Sequence, residues 1–463
     1  MKLFNTMTRK VEDFIPYEKG KVKIYTCGPT VYHYAHIGNI RNYIGHDILH
    51  RTLLYLGFDV TRAMNITDVG HLTSDSDSGL DKMEVARKRE NKSAMEIAKF
   101  YTDAFFKDFY LVNCLKPDII SPATENIDMY IKIISKLIND SYAYVSGGNV
   151  YFDISKVSDY YVLNNHQEDE LVVGAREGVE EDSKKRNQAD FALWFTTSKF
   201  ENHEQIWDSP WGKGYPGWHI ECTGISIKYL GEYLDIHGGG VDNIFPHHTN
   251  EIAQSEAYLG HKWCNYWFHN EHLLDETGKM SKSKGAILTV TALKQAGYDP
   301  LAYRFMCLNS HYRKQLVFSY NALEQAEITL NKLRKRISSL DASGDIQHDK
   351  FDLYNVRFKD ELSNDLNTAN CITVLYDLLK DSEVNGNTKL ELIKSFDLVL
   401  GVNLINTKQI DNVLEKYILE KIEERNKAKK DKDFKLADMI RDELLEKNIK
   451  LIDSREGTKY ELI

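Results

Sequence analysis

Lys279 and Lys282 stand three apart in Lys279-Met-Ser-Lys-Ser283, directly after Gly278. Two ammonium groups on such a loop can clamp a polyphosphate and offset the charge that builds on a phosphorus under attack. Far upstream, His36-Ile-Gly-Asn39 falls between a predicted strand and a predicted helix. A helix N-terminus presents unpaired N–H groups and the positive end of the dipole, which suits phosphate. Gly38 lets a ligand approach the backbone closely, and His36 and Asn39 can donate to phosphate or ribose oxygens. Taken singly, each has a plainer reading, a capped helix and a solvated turn.

A second group of residues suggests a metal. Cys27 closes the first predicted strand, and Cys222 lies in Gly217-Trp-His-Ile-Glu-Cys222. His247 and Glu251 are four apart, so on a helix they share one face a turn apart, while His248 points elsewhere. Two thiolates, an imidazole and a carboxylate form a zinc set. The alternative is a pair of buried packing cysteines with a hydrogen-bonded histidine. Cys27 lies nine residues before His36, so a metal held there neighbours the nucleotide site. The ends of parallel strands are where α/β folds place ligands. Cys114, Cys264, Cys307 and Cys371 lack ligand-like neighbours and read as structural. No two of the six cysteines form a C-x-x-C pair, which fits a reducing compartment and no disulfide framework.

The elements that must position these groups can be read from the apolar pattern. Residues 22–26 read as a strand, and Cys27-Gly-Pro-Thr30 as a turn. Ile40, Ile44, Ile48, Leu49, Leu53 and Leu56 recur at helical spacing until Gly57, and 60–66 reads as a second strand. This strand–helix–strand unit starts a parallel sheet. Helical pattern follows from about 80 to 112, after a polar loop at 73–79, and 166–189 reads as an exposed charged loop. A second strand–loop–helix run begins at 233–237, meets Gly238, Gly239 and Gly240, and starts a helix near His247. From about 316 the pattern is helical and amphipathic, broken at Asn385-Gly-Asn387 and Gly401. The expected plan is α/β: a sheet domain split by an insert, then a helical C-terminal third.

At ~100–200 residues per domain, 463 residues suggest two to four domains. Hydrophobic residues at 42% and charged residues at 28% place the chain among folded, soluble proteins. No apolar run reaches the ~20 residues a membrane span needs, and Met1–Asn5 lacks a signal-peptide core, so a cytoplasmic place is expected. A net charge of −10 argues against a broad nucleic-acid binder without excluding a local basic face.

Together, the first two motifs resemble the HIGH and KMSKS signatures of class I aminoacyl-tRNA synthetases. T-C-G-P-T-V-Y (26–32), N-I-T-D (65–68), D-F-A-L-W (190–194), G-W-H-I-E-C (217–222), D-I-H-G-G-G-V-D (235–242) and F-P-H-H-T-N-E-I-A-Q-S (245–255) are similar to the cysteinyl-tRNA synthetase family. So is 436–444. The resemblance spans essentially the whole chain.

It implies a Rossmann-like parallel-sheet catalytic domain in two halves (1–113 and 203–270) around a connective insert (114–202). A lysine-loop and stem-contact region (271–315) and an all-helical anticodon-binding region (316–463) follow. It implies that cysteine attacks ATP to give an adenylate, and that the cysteinyl group passes to tRNA(Cys). His36 and Asn39 would hold ATP phosphates, and Gly38, Gly238 and Gly239 would line the ATP site. Lys279 and Lys282 would stabilise the phosphoryl transition state, with Lys282 in direct contact. Asp242 would meet the ribose, Thr67 the substrate amino group, and Trp218 would wall the pocket. One zinc per chain would be held by Cys27, Cys222, His247 and Glu251, with Mg2+ accompanying ATP and the chain acting as a monomer.

A shape-based pocket separates near-isosteres such as cysteine and serine only ~10²-fold, whereas zinc binds thiolate strongly. The insert of about 90 residues is too short for an added editing domain. Either the zinc becomes five-coordinate on binding the substrate thiolate or its bond to Glu251 lengthens. The chain departs from the family pattern at 69–79, and at Gln188, Phe195 and Ala286, none of them a ligand position. A relative joining cysteine to an amino sugar–inositol acceptor would share both ATP motifs and the zinc, but would lack much of the helical C-terminus.

Overall fold

The structure, a computed structural model, describes residues 1–70, 82–164, 184–196, 204–275, 278–279, 287–405, 412–431, 433–446, 449–454 and 457–462. The expected 73–79 loop, most of the 166–189 loop and Lys282 lie outside the described residues. Two compact units are formed, Met1–Ile405 and Asn406–Ile463. Among the described residues no helix is long and apolar enough to cross a membrane.

Five strands form the central sheet of the first unit, in the order Cys264–Asn270, Leu234–Gly240, Lys21–Thr26, Asp59–Ile66, Ile119–Pro122. Every neighbouring pair is parallel. Both faces are covered, so the strands carry near-continuous apolar runs such as Ala63-Met64-Asn65-Ile66. The helix Ile37–Tyr55 links the Lys21–Thr26 and Asp59–Ile66 strands, as the periodicity predicts. The second half of the chain adds its strands on the other side of Lys21–Thr26. Strand order therefore reverses between Lys21–Thr26 and Leu234–Gly240, and a crevice opens at the carboxyl ends of these two strands.

The region between the halves forms its own four-stranded antiparallel sheet, from Ala143–Ser146, Asn149–Phe152, Phe191–Phe195 and Tyr215–Pro216. Its borders differ from the expected 114–202. The central sheet claims Ile119–Pro122, which pairs with Asp59–Ile66, and the small sheet claims Tyr215–Pro216. Strand pairing, which composition does not reveal, fixes both borders.

The helical part of the first unit is tied to the Ile37–Tyr55 helix beside the sheet by a buried ion cluster. Asp47 lies 2.7 Å from both Arg51 and Arg304, and all three are buried. Arg304 Nε donates to Leu400 O at 2.6 Å and Arg51 Nη1 to Leu398 O at 2.7 Å, at the end of the Gly386–Leu400 helix. These carbonyls are helix-end acceptors that the guanidinium groups satisfy. Removing one partner would leave an uncompensated buried charge.

The second unit packs two helices, Asn412–Lys430 and Phe434–Glu446, through Ile418, Ile422, Ile440 and Leu444. It closes with an antiparallel hairpin of Ile449–Ser454 and Gly457–Leu462. The helical C-terminal third thus ends in strands. Six residues of period-two pattern are too few to stand out beside two amphipathic helices.

Candidate active site

Cys27 follows the Lys21–Thr26 strand directly, and its N–H donates to Gly238 O at 3.1 Å, fixing it across the crevice. Cys222 sits in the helix His219–Leu230, and Glu251 in the first turn of the helix Thr249–Leu259. His247 precedes that helix in a wide turn, Ile244–His248, whose Phe245 is extended. Potential ligand atoms of Cys27, Cys222, His247 and Glu251 all lie within 4.8 Å of one another, and all four residues are buried.

The Cys27 and Cys222 sulfurs are 3.8 Å apart, and His247 Nε2 lies 3.6 Å from Cys222 Sγ. A tetrahedral zinc with its usual bond lengths sets two sulfurs ~3.8 Å apart, and a sulfur and a nitrogen ~3.6 Å apart. The donor set and these separations fit zinc. Glu251 Oε1 is 4.0 Å from Cys27 Sγ and 2.9 Å from His247 Nε2.

Burial pushes both thiols above their ordinary range, and Glu251 adds to this. Burial also opposes ionisation of Glu251, but the imidazoles of His237 and His247 overcome it and hold the carboxyl at about 2. His247, against burial, is raised to about 10 by Glu251 and Cys222. The protein alone thus places a proton on His247 as the counter-cation. A divalent cation would replace that proton and relieve the cost of ionising the thiols.

His248 does not point elsewhere: its Nε2 lies 3.3 Å from Cys27 Sγ. The helical spacing that separates adjacent residues does not hold in the wide turn upstream of Thr249. His248 Nδ1 meets His269 Nε2 at 2.8 Å, and His269 Nδ1 meets Thr6 Oγ1 at 2.8 Å. Burial and neighbouring histidines lower both imidazoles, His269 to about 3. With both neutral, one proton per contact links Thr6, His269, His248 and the Cys27 sulfur in a single chain. His219 Nδ1 engages His247 Nδ1 at 2.8 Å, which leaves His247 Nε2 facing the donor cluster. His237 Nε2 meets Glu251 Oε2 at 2.7 Å. A second grouping, Cys27, His237, His248 and Glu251, is equally compact. It offers one thiolate instead of two, and its histidines already serve Glu251 and His269.

Sequence reasoning missed His219, His237, His248 and His269 as partners of the ligands. Three of them stand inside the quoted motifs, and the need of a metal-bound imidazole or carboxylate for an outer partner was the available signal.

Trp218 stacks on His247 with centroids 4.4 Å apart. Thr67 is buried, accepts from Asn65 Nδ2 at 2.9 Å and donates to Glu221 Oε2 at 2.8 Å. Its proton is therefore committed to Glu221, a fully buried carboxylate not expected from the sequence.

On the other side of the crevice a cavity is lined by His36, Gly38, Asn39, Gly240, Asp242 and His272, among others. His36 caps the Ile37–Tyr55 helix: its side chain accepts from Asn39 N, and Asn39 Oδ1 accepts from His36 N, both at 3.2 Å. A Cβ on Gly38 would sit 2.9 Å from the His36 ring, so glycine is required by the cap itself. Asp242 lies 3.4 Å from His272 Nε2. The cavity takes Gly240 rather than Gly238 and Gly239 into its lining. A Cβ on Gly238 would meet the His46 ring at 2.3 Å, and one on Gly239 would meet His248 and Asn243 at 2.8 Å. At these two glycines the space a side chain would take is filled by His46, His248 and Asn243. The backbone of Lys279 pairs with Leu274 at the edge of a small sheet.

The family described as the class I (C) tRNA synthetase catalytic domain matches residues 13–328, and the DALR domain matches 357–411. In fold, the chain is similar to methionyl-tRNA synthetase of Mycobacterium tuberculosis bound by methionyl-adenylate. The TM-score is 0.58 at 15% identity, over 83% of this chain and 92% of that one. The chain thus has the catalytic domain of a class I aminoacyl-tRNA synthetase. Cysteine–tRNA ligase of Treponema denticola is 45% identical, with 99% of each chain covered. Cysteine–tRNA ligase of Borreliella burgdorferi is 41% identical, also over 99% of each. The chain belongs to the cysteine–tRNA ligase family.

Proposed function

We propose that this chain activates cysteine with ATP as an adenylate and transfers the cysteinyl group to tRNA(Cys). The carrying observation is the convergence of two buried thiols, an imidazole and a carboxylate at the crevice that also holds the His36–Asn39 cap. Cys27, Cys222, His247 and Glu251 would hold the zinc, which when bound supplies a Lewis acid that favours the substrate sulfur over a hydroxyl oxygen.

The chain's own residues do the rest. His219 and His237 orient the ligand side chains. Trp218 backs His247 and narrows the space beside it. His36 and Asn39, which cap the Ile37–Tyr55 helix, would meet the ATP phosphates at a helix N-terminus. Asp242 would accept from the ribose. Lys279 and Lys282 would bring positive charge to the phosphorus as the cysteine carboxylate attacks, with Mg2+ accompanying the nucleotide. Residues 316–463 would read the tRNA. The amino sugar–inositol alternative is not favoured, because the matched DALR domain and the unit beyond it are both present.

The test is cysteine-dependent pyrophosphate exchange on protein assayed for zinc, with serine as control. Exchange with cysteine alone, on protein carrying about one zinc per chain, supports the reading. Equal exchange with serine, or full activity without metal, overturns the selectivity it assigns to the thiolate.

A further inference from the structure

The segment that leads into the His36 cap carries an aromatic surface that the chemistry above does not use. Tyr34 and Phe100 are 38% and 42% exposed and stand side by side. Both lean on a third ring, Tyr101, which is buried. Tyr34 is 5.0 Å and Phe100 5.1 Å from it, both edge-on, and Tyr34 and Phe100 are 6.0 Å apart. The base is pinned: Arg89 Nη2 donates to Tyr101 OH and to Tyr32 O, each at 3.2 Å. Beneath it, Val31, Ala94, Ile97 and Ala98 form a small apolar core with Tyr101.

Positive charge borders this surface. Lys92 Nζ sits 5.0 Å from the Phe100 ring centre. Residues 84–92 carry Arg87, Lys88, Arg89 and Lys92 against Glu84 and Glu90, in a chain whose net charge is −10. Exposed aromatic rings edged by basic side chains are the combination that binds unpaired nucleotides, since rings stack on bases and ammonium groups meet the backbone. Bases inside a duplex do not offer their faces in this way.

We infer that Tyr34 and Phe100, flanked by Lys92, form a stacking platform for the unpaired 3′ nucleotides of tRNA just behind the reacting terminal residue. The inference rests on the tRNA-charging reading. Its placement follows from the chain: Tyr34 is two residues before His36, whose ring borders the cavity assigned to ATP. A terminal adenosine reaching that cavity brings the nucleotides behind it past this segment.

The experiment measures binding of the full-length protein to a tRNA(Cys) transcript and to the same transcript without its single-stranded 3′ nucleotides. Wild type should favour the complete transcript by about fivefold or more, the low end of base–aromatic stacking. Tyr34→Ala and Phe100→Ala should lose most of that margin, and Phe100→Tyr should keep it. Lys92→Glu, which removes the ammonium beside Phe100 and keeps both rings, should weaken the complete transcript more than the truncated one and reduce the salt slope by about one.

Alanine variants that retain the wild-type margin, or a wild type without any margin, overturn the platform. So does a Lys92→Glu protein whose margin and salt slope match wild type. Failure of the wild-type protein to charge the complete transcript with cysteine would instead overturn the parent reading, and the two failures are separable.

Discussion

Gly238→Ala tests whether the sheet register holds the metal site together. A Cβ at this position would lie 2.3 Å from His46 Nε2 and 2.6 Å from its Cδ2. Ordinary contact begins near 3.4 Å, so ring or strand must give by about 1 Å. The ring has little room, being 1% exposed and edge-on to Phe268 with centroids 5.4 Å apart. Overpacking of this kind costs about 1–3 kcal/mol, a factor of about 5–150 in the folding equilibrium. The strand cannot move alone, because Gly238 O accepts from Cys27 N. Metal sites tolerate shifts of about 0.2 Å, so even a third of the displacement misplaces the Cys27 sulfur. Zinc affinity, measured by chelator competition, should fall about 10- to 100-fold, as when an outer-shell support is lost, and the urea midpoint should drop. Gly240→Ala is the control: its added Cβ meets nothing closer than 3.8 Å, so stability and zinc affinity should hold. Wild-type zinc affinity and midpoint in Gly238→Ala would refute the reasoning.

Cys222→Ser should lower bound zinc and cysteine activation together, by metal analysis and pyrophosphate exchange, whereas retained zinc with normal activation removes Cys222 from the ligands. Lys282→Ala should slow adenylate formation at full zinc content, and an unchanged exchange rate would refute its role. Asp68 is a pH probe. Burial raises its carboxyl to about 6 despite hydrogen bonds from Thr124 Oγ1 and N. The folded state therefore holds the proton more tightly than the unfolded one, so Asp68 contributes stability below pH ~4 that is lost as pH rises through about 6. A shift of that size is worth ~3 kcal/mol. Asp68→Asn should remove the decline between pH ~4 and ~6 in denaturation midpoints. An identical pH profile would show that the carboxyl is not protonated on folding.

Much of this was legible because local pattern and local chemistry agree. The Ile40–Leu53 spacing announces the helix that His36 and Asn39 cap, and Cys27, Cys222, His247 and Glu251 announce themselves as ligand types in quoted motifs. What stayed hidden depends on contacts between distant segments. His248 reaches Cys27 only because 244–248 forms a wide turn, which helical spacing does not anticipate. His269 and Thr6 join the same chain from segments 263 residues apart. Gly238 and Gly239 are expected at the ATP site, but that they also make room for His46, His248 and Asn243 depends on segments the run itself does not contain. The borders of the insert follow from pairing of Ile119–Pro122 and Tyr215–Pro216, which no local period records.

The reversal of strand order also has a consequence for biosynthesis. Cys27 belongs to the first half of the sheet, while its partners Cys222 and Glu251 lie 195 and 224 residues later. At ~5–20 residues per second, the ribosome needs roughly 10–45 s to extend the chain from the first ligand to the last. Through that interval the set of candidate ligands is incomplete. Zinc binding by this set would therefore be a late event, and ion uptake during translation would report that the two halves have met.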